Sequence, residues 1–163
     1  INNANAGNFI VQALLFDQNM VKKSRDAIFA EKKYGAISVI HASPKKIPYT
    51  DNLVNIVIIS NPSAFLKAEA SITEVIRVLA PHGSLLIKDN NDLAKSIASS
   101  LDLEETNIKQ SGKWSKIVKP RPAEMDEWTH ERHSHDGSPV SQDTVIGAAS
   151  LLQWLYAPTW GRG

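Results

Sequence analysis

Cysteine is absent from all 163 residues. That excludes a disulfide framework, a zinc–thiolate site and a thiol nucleophile, and it leaves the redox compartment open. Charge bias is lacking too, because the formal net charge is +1. With no basic run and no aromatic ladder, a nucleic-acid partner held by bulk charge is not expected. No window approaches the roughly 18 apolar residues of a membrane helix, so a membrane partner is not expected either. Neither an HExxH nor a GxSxG motif occurs, which leaves Ser43, Ser60 and Ser63 without a hydrolase setting. The start, INNANAGN, has no charged-then-apolar leader, and the end, TWGRG, has no closing element. The sequence therefore reads as a piece of a longer polypeptide.

What is present is an alternation of apolar runs. FIVQALLF at 9–16 suits a strand covered on both sides. Asp17 or Asn19 can cap the helix expected over 20–33, with Val21, Ala27, Ile28 and Phe29 inward. Lys32, Lys33 and Gly35 mark its end. ISVIH at 37–41 is a second strand, 42–53 a Pro-containing loop, and VNIVIIS at 54–60 a third buried strand. Asn61, Pro62 and Ser63 open a loop into a helix somewhere within 65–79, whose Ile72, Val75, Ile76 and Leu79 share one face. Pro81 stops that helix, Gly83 supplies the permissive backbone for a reversal, and 84–88 is a short strand buried on both faces. A helix over 90–101 follows, then a hairpin of 104–110 and 114–119 around Ser111 and Gly112. The expected architecture is α/β: an open, mostly parallel, Rossmann-like sheet with an antiparallel C-terminal hairpin.

Residues 120–163 differ in composition, so the domains expected are 1–119 and a Pro/Trp/His-rich extension over 120–163. That extension holds three of the five His and three of the four Trp. Thr144 to Tyr156 is its one regular stretch, of open type. His130, His133, His135 and Asp136 could gather a metal ion, or hydrogen-bond locally in a polar linker. No thiolate supports the metal, so none is assigned. Trp128, Trp154 and Trp160 could stack a ligand or anchor the tail against a neighbour. Lys22, Lys23, Lys45 and Lys46 read as solvated faces that could also meet an anion.

The segments FDQNMVKKSR, ISVIHASPKKIPYTDN and EVIRVLAPHGSLLI together resemble class I S-adenosylmethionine-dependent methyltransferases from their second strand onward. The likeness spans roughly 9–119, with His82 in place of the first glycine of the family's PGG turn. It implies that fold, S-adenosylmethionine as cofactor, and methyl transfer to an acceptor that stays open. The family's first strand and Gly-rich loop would precede Phe9, where Gly7 is the lone glycine, so the sheet is expected to be incomplete at its N-terminal side. The resemblance also places the cofactor-contacting positions at Leu15, Asp17, Ser43 and Asn61. Leu15 stands where the ribose-binding carboxylate belongs, Ser43 where a loop acid faces the adenine amine, and Asn55 where an acid opens the fourth strand. A leucine cannot accept the ribose hydroxyls. No catalytic base is assigned, and His41 is the one candidate near the cleft.

The tail, with its Asp-Glu-Trp-Thr-His and Leu-Gln-Trp runs, resembles a segment of large planctomycete proteins. There a methyltransferase-like region is joined to a propeller of the quinoprotein (PQQ-like) type. The expected function is a methyltransferase-like domain, degenerate in cofactor binding as it stands. The alternative is a scaffold that packs on a propeller domain or self-associates.

Overall fold

The computed structural model describes residues 9–126, 135, 137 and 140–144. The expected His130, His133 and Asp136 group, Trp128, Trp154, Trp160 and nearly all of 144–156 lie outside them. By contacts the chain divides into two units, Ile1–Pro120 and Arg121–Gly163.

In the first unit β1 (Val11–Leu15) leads to α1 (Gln18–Ala30) and β2 (Ile37–His41). After a loop come β3 (Val54–Ile59), α2 (Pro62–Lys67), α3 (Ile72–Val78) and β4 (Leu79–Lys88). Then α4 (Asn91–Ser99), β5 (Lys109–Ser111) and β6 (Trp114–Val118) close the unit. The α/β class is as expected, but the strands form two sheets. β1 and β2 pair in parallel, and a four-stranded sheet has the order β3-β4-β6-β5. β3 and β4 are parallel, whereas β6 and β5 are antiparallel and form the expected hairpin edge. Among the described residues no helix is long and apolar enough to cross a membrane.

Each sheet has its own apolar core. Val21, Ile28, Ile37 and Val39 bury together beside Val11, Ala13 and Leu15. A larger cluster joins Ile59, Val75, Leu79, Leu85, Ile87, Leu93, Ile97 and Ile117. α3 and α4 cover one face of the larger sheet. Its other face leaves Ile56 and Ile58 44% and 45% exposed. Two expectations fail here: the strand expected over 9–16 leaves Phe9 and Ile10 exposed outside β1, and β3 is not covered on both sides. A parallel strand buries both faces only where elements pack on each side, and among the described residues one face of these strands is left open.

Local corrections have local causes. α1 stops at Ala30, and Lys32 takes the left-handed turn that closes it, with φ of 53°, three residues before Gly35, whose φ is also positive at 105°. Lys33 N–H donates to Ile28 O and Lys32 N–H to Phe29 O, a Schellman closure built on a lysine. Ala27 and Phe29 face solvent, Phe29 at 74% exposure. The single helix expected within 65–79 is two. Glu69 turns left-handed after α2, and Ser71 restarts the chain by accepting from Glu74 N–H. Leu79 belongs to the strand, not the helix. The region expected as a turn, 81–83, is a bulge inside β4, where pairing jumps from Val54–Leu79 to Ile56–Ser84. The first arm of the hairpin begins as a single 3-10 turn at Glu105–Asn107, so β5 is only three residues long.

The bulge reassigns two residues. His82, not Gly83, holds the left-handed conformation, at φ of 61°. His82→Gly should therefore stabilise the fold by about 0.5–1 kcal/mol, the left-handed cost of a β-carbon less the added freedom of the unfolded chain. Urea denaturation measures it, and a loss of stability would contradict the assignment.

In the second unit Asp126 organises the described residues. Its carboxylate accepts from Ser141 Oγ at 3.0 Å and from Gln142 N–H at 2.6 Å, and its carbonyl accepts from Arg121.

Candidate functional site

In open α/β sheets ligands bind beyond the carboxyl ends of the strands. The residues there are Leu15, Phe16 and Asp17 after β1, His41 to Ser43 after β2, Ser60 and Asn61 after β3, and Asp89 and Asn90 after β4. The four positions expected to contact a cofactor thus all fall at carboxyl ends.

Their side chains are nonetheless occupied by local structure. Leu15 is half-buried and packs against the small core. Asp17 caps α1, its Oδ1 accepting from Asn19 N–H at 2.8 Å. Ser43 Oγ accepts from Lys45 N–H at 3.2 Å. Asn61 Oδ1 accepts from Ala64 N–H at 3.0 Å and caps α2. Residues of these types turn up at such positions because their short polar side chains satisfy the first amides of a helix or turn. His41 Nε2 lies 3.3 Å from Phe16 O and ties the ends of β1 and β2 together. Of Lys22, Lys23, Lys45 and Lys46, Lys45 has a described ion pair, with Glu69 at 2.9 Å, and that bond holds the Glu69 carboxyl below its ordinary range. Among the described residues no three His, Asp or Glu side chains gather as metal ligands.

Ribose hydroxyls need an acceptor, and Leu15 offers none. Asp17 is the single carboxylate at the ends of β1 and β2, and one of its oxygens already caps α1.

Two polar groups escaped the sequence reading. The first is the pair Glu74 and Arg77 on α3. Arg77 donates to Glu74 at 2.6 and 2.7 Å, to the carbonyls of Tyr49 and Ile47 at 2.8 and 3.0 Å, and to Asp51 at 2.7 Å. Glu74 also accepts from Ile47 N–H at 2.9 Å. The Arg77 bonds come first in holding Glu74 at about 2, followed by the Ile47 N–H. The second is Ser115, buried in β6, whose hydroxyl donates to Asn91 Oδ1 at 2.8 Å. Beside it Asp89, Asn91, Gln110, Gly112 and Lys113 line an open cavity of about 280 Å³. A serine at the inward parity of Trp114–Val118 was a legible signal. The Arg77 contacts, which reach 26 to 30 residues along the chain, were not.

Compared with known proteins, residues 3–87 match the family described as Methyltransferase domain. A search of curated proteins matched none. Among solved structures, a Methanococcus maripaludis protein assigned as an S-adenosyl-L-methionine-dependent methyltransferase is 19% identical, with a TM-score of 0.49 over 73% of this chain and 71% of that one. A SAM-dependent methyltransferase from Aquifex aeolicus is 18% identical, with a TM-score of 0.44 over 66% and 65%. The cyclase SpnF is 19% identical, with a TM-score of 0.47 over 52% of this chain and only 32% of its own. The chain thus spans about a third of that cyclase's length.

Proposed function

Since this chain belongs to the methyltransferase domain family, we propose that it serves as a methyltransferase-like domain of a larger protein whose S-adenosylmethionine site is degenerate as it stands. One observation carries the reading: the four side chains expected to meet the cofactor at the ends of β1 to β3 are engaged in packing, capping and a turn. Leu15 is in the small core, Asp17 and Asn61 cap helices, and Ser43 closes a turn. A fold outlasts its chemistry when packing residues are kept and ligand residues drift. Methyl transfer itself needs mainly alignment of acceptor and methyl donor. No residue on these strand ends is placed as a base.

A second reading is supported by the sheet edges. Among the described residues no strand pairs with the outer edge of β1 or of β3, and β3 is uncharged and free of proline. Such an edge is a template for pairing with another chain. That favours an interaction module, with a propeller-type neighbour or a second copy as partner.

Calorimetry with S-adenosylhomocysteine separates the readings. The expected result is no heat and no thermal shift at millimolar ligand. Binding at about 10 μM or tighter, of the order of 7 kcal/mol, would overturn the degenerate site and restore the enzymatic reading. Light scattering on the same sample reports the module: mass rising with concentration supports it, and a strict monomer counts against it.

A further inference from the structure

The cavity beside Ser115 lies at the β6–β5 side of the larger sheet, where β4 ends and the hairpin turns. Asp89 follows β4 with a left-handed φ of 48°, and its N–H donates to Lys113 O at 2.8 Å. Gly112, with φ of 56°, makes the turn between β5 and β6. The two backbones are therefore neighbours, and Asp89, Asn91, Gln110, Gly112 and Lys113 border one space of about 280 Å³. That volume is at the lower edge of the roughly 300–1,000 Å³ of ligand pockets, so it suits a small molecule.

The floor of this space is fixed from within. Ser115 is only 2% exposed, and its hydroxyl donates to Asn91 Oδ1 at 2.8 Å. Gln110 Nε2 donates to the same oxygen at 3.0 Å, and Gln110 Oε1 lies 3.2 Å from Ser115 Oγ. A buried hydroxyl holds such partners because leaving it unmet is costly. The Asn91 oxygen is thus committed to Ser115 and Gln110, and its amide N–H groups remain for another acceptor. The charges on the rim are uncommitted as well. Among the described residues neither the Asp89 carboxylate nor the Lys113 ammonium makes an ion pair or a hydrogen bond, with each other or with anything else. Next to them Lys95 and Glu105 already pair with each other at 2.9 Å.

We propose that this cavity binds a small zwitterion, a free α-amino acid, with its ammonium on Asp89 and its carboxylate on Lys113 and the Asn91 amide. The choice of ligand follows from the charges. A lone anion placed here meets the Asp89 carboxylate, and a lone cation meets the Lys113 ammonium. A neutral molecule leaves both without a counter-charge. A molecule carrying both charges on neighbouring groups satisfies both with charge-assisted hydrogen bonds. The two rim side chains are exposed, so each contributes little and the affinity belongs in the millimolar range. Leu15, Asp17, Ser43 and Asn61 do not line the cavity. The site therefore goes beyond the methyltransferase-like reading and stands whether or not S-adenosylmethionine binds.

Titration of the full chain with L-alanine, followed by amide NMR, tests it. The amides of Asp89, Asn91, Gly112 and Lys113 are expected to shift and saturate with a Kd of about 1–10 mM. Acetate and methylammonium, each carrying one of the two charges, should bind at least about fivefold more weakly. Asp89→Asn, which keeps a residue tolerant of the left-handed backbone, and Lys113→Gln should each weaken L-alanine by about fivefold. Should either variant misfold, the acetate and methylammonium titrations of the native chain decide alone. No shift of these amides by about 100 mM L-alanine would overturn the proposal. So would acetate or methylammonium binding as tightly as L-alanine, or an affinity unchanged in both folded variants.

Discussion

Gly83→Ala is expected to destabilise the protein by about 3 kcal/mol, at the upper end of overpacking costs. A β-carbon built at Gly83 would lie 2.6 Å from Ala80 O, 2.9 Å from Leu79 Cδ1 and 3.1 Å from Asn55 O. Two of these neighbours are backbone oxygens that cannot swing aside. Gly83 itself is buried, and the strand around it is pinned on its other flank. There His82 N–H donates to Lys119 O at 2.9 Å, and Lys119 N–H to Gly83 O at 3.0 Å. The Lys119 ammonium also donates to Ile76 O and Leu79 O at 2.8 and 2.7 Å, closing the end of α3 beside the bulge. The variant must therefore shift β3 away from β4 or open the bulge. Chemical denaturation measures the loss, with a fall in Tm of roughly 6–12 °C. A loss under about 1 kcal/mol would show that the bulge relaxes freely. The neighbouring His82→Gly change should act with the opposite sign, because at that position the strain is in φ and not in space.

The second large effect is expected at Arg77. Removing its guanidinium leaves the Glu74 carboxylate with the Ile47 N–H alone, takes the donors from the carbonyls of Ile47 and Tyr49, and loosens the middle of the loop at 42–53. Arg77→Ala should lower Tm near neutral pH by roughly 5 °C or more. The pH dependence identifies the cause. Glu74 is held at about 2 in the fold against an ordinary value of 4.5. A depressed carboxyl stabilises fully above its unfolded value and loses that contribution as pH falls through its folded value. Native stability should thus decline between pH 4.5 and pH 2, and protonated Glu74 should no longer distinguish native from variant protein. In Arg77→Ala the Glu74 carboxyl rises toward its ordinary value, so the gap to native protein narrows as pH falls through this window. Parallel Tm curves across pH 2–6 would mean that Arg77 acts through something other than Glu74.

Much of the fold was legible because its cause is periodic. The runs FIVQALLF, ISVIH and VNIVII announce strands, and these three appear within one or two residues of their expected places, whereas β4 starts five residues before its expected start and β5 five after. Ser71 and Asn90, at the helix starts, satisfy the amides of Glu74 and Leu93, as their chemistry dictates. The candidate site was legible only as a place. Leu15, Ser43 and Asn61 lie at strand ends, where Leu15 packs in the small core and the Ser43 and Asn61 oxygens serve a turn and a cap two and three residues ahead. Where periodicity and turn chemistry competed, the turn chemistry won. Glu69 and Lys32 adopt left-handed conformations that no glycine marks, which split one expected helix and shortened another.

The sequence alone therefore determined the α/β class, the order of the elements and the family to which residues 3–87 belong. These follow from local spacing of apolar residues and from short-range chemistry. The tertiary structure decided that the strands make two sheets, that Gly83 is needed for space and His82 carries the left-handed turn, and that Arg77 fastens a loop from across the chain. Those outcomes depend on which atoms meet over separations of tens of residues, and no local pattern encodes such meetings.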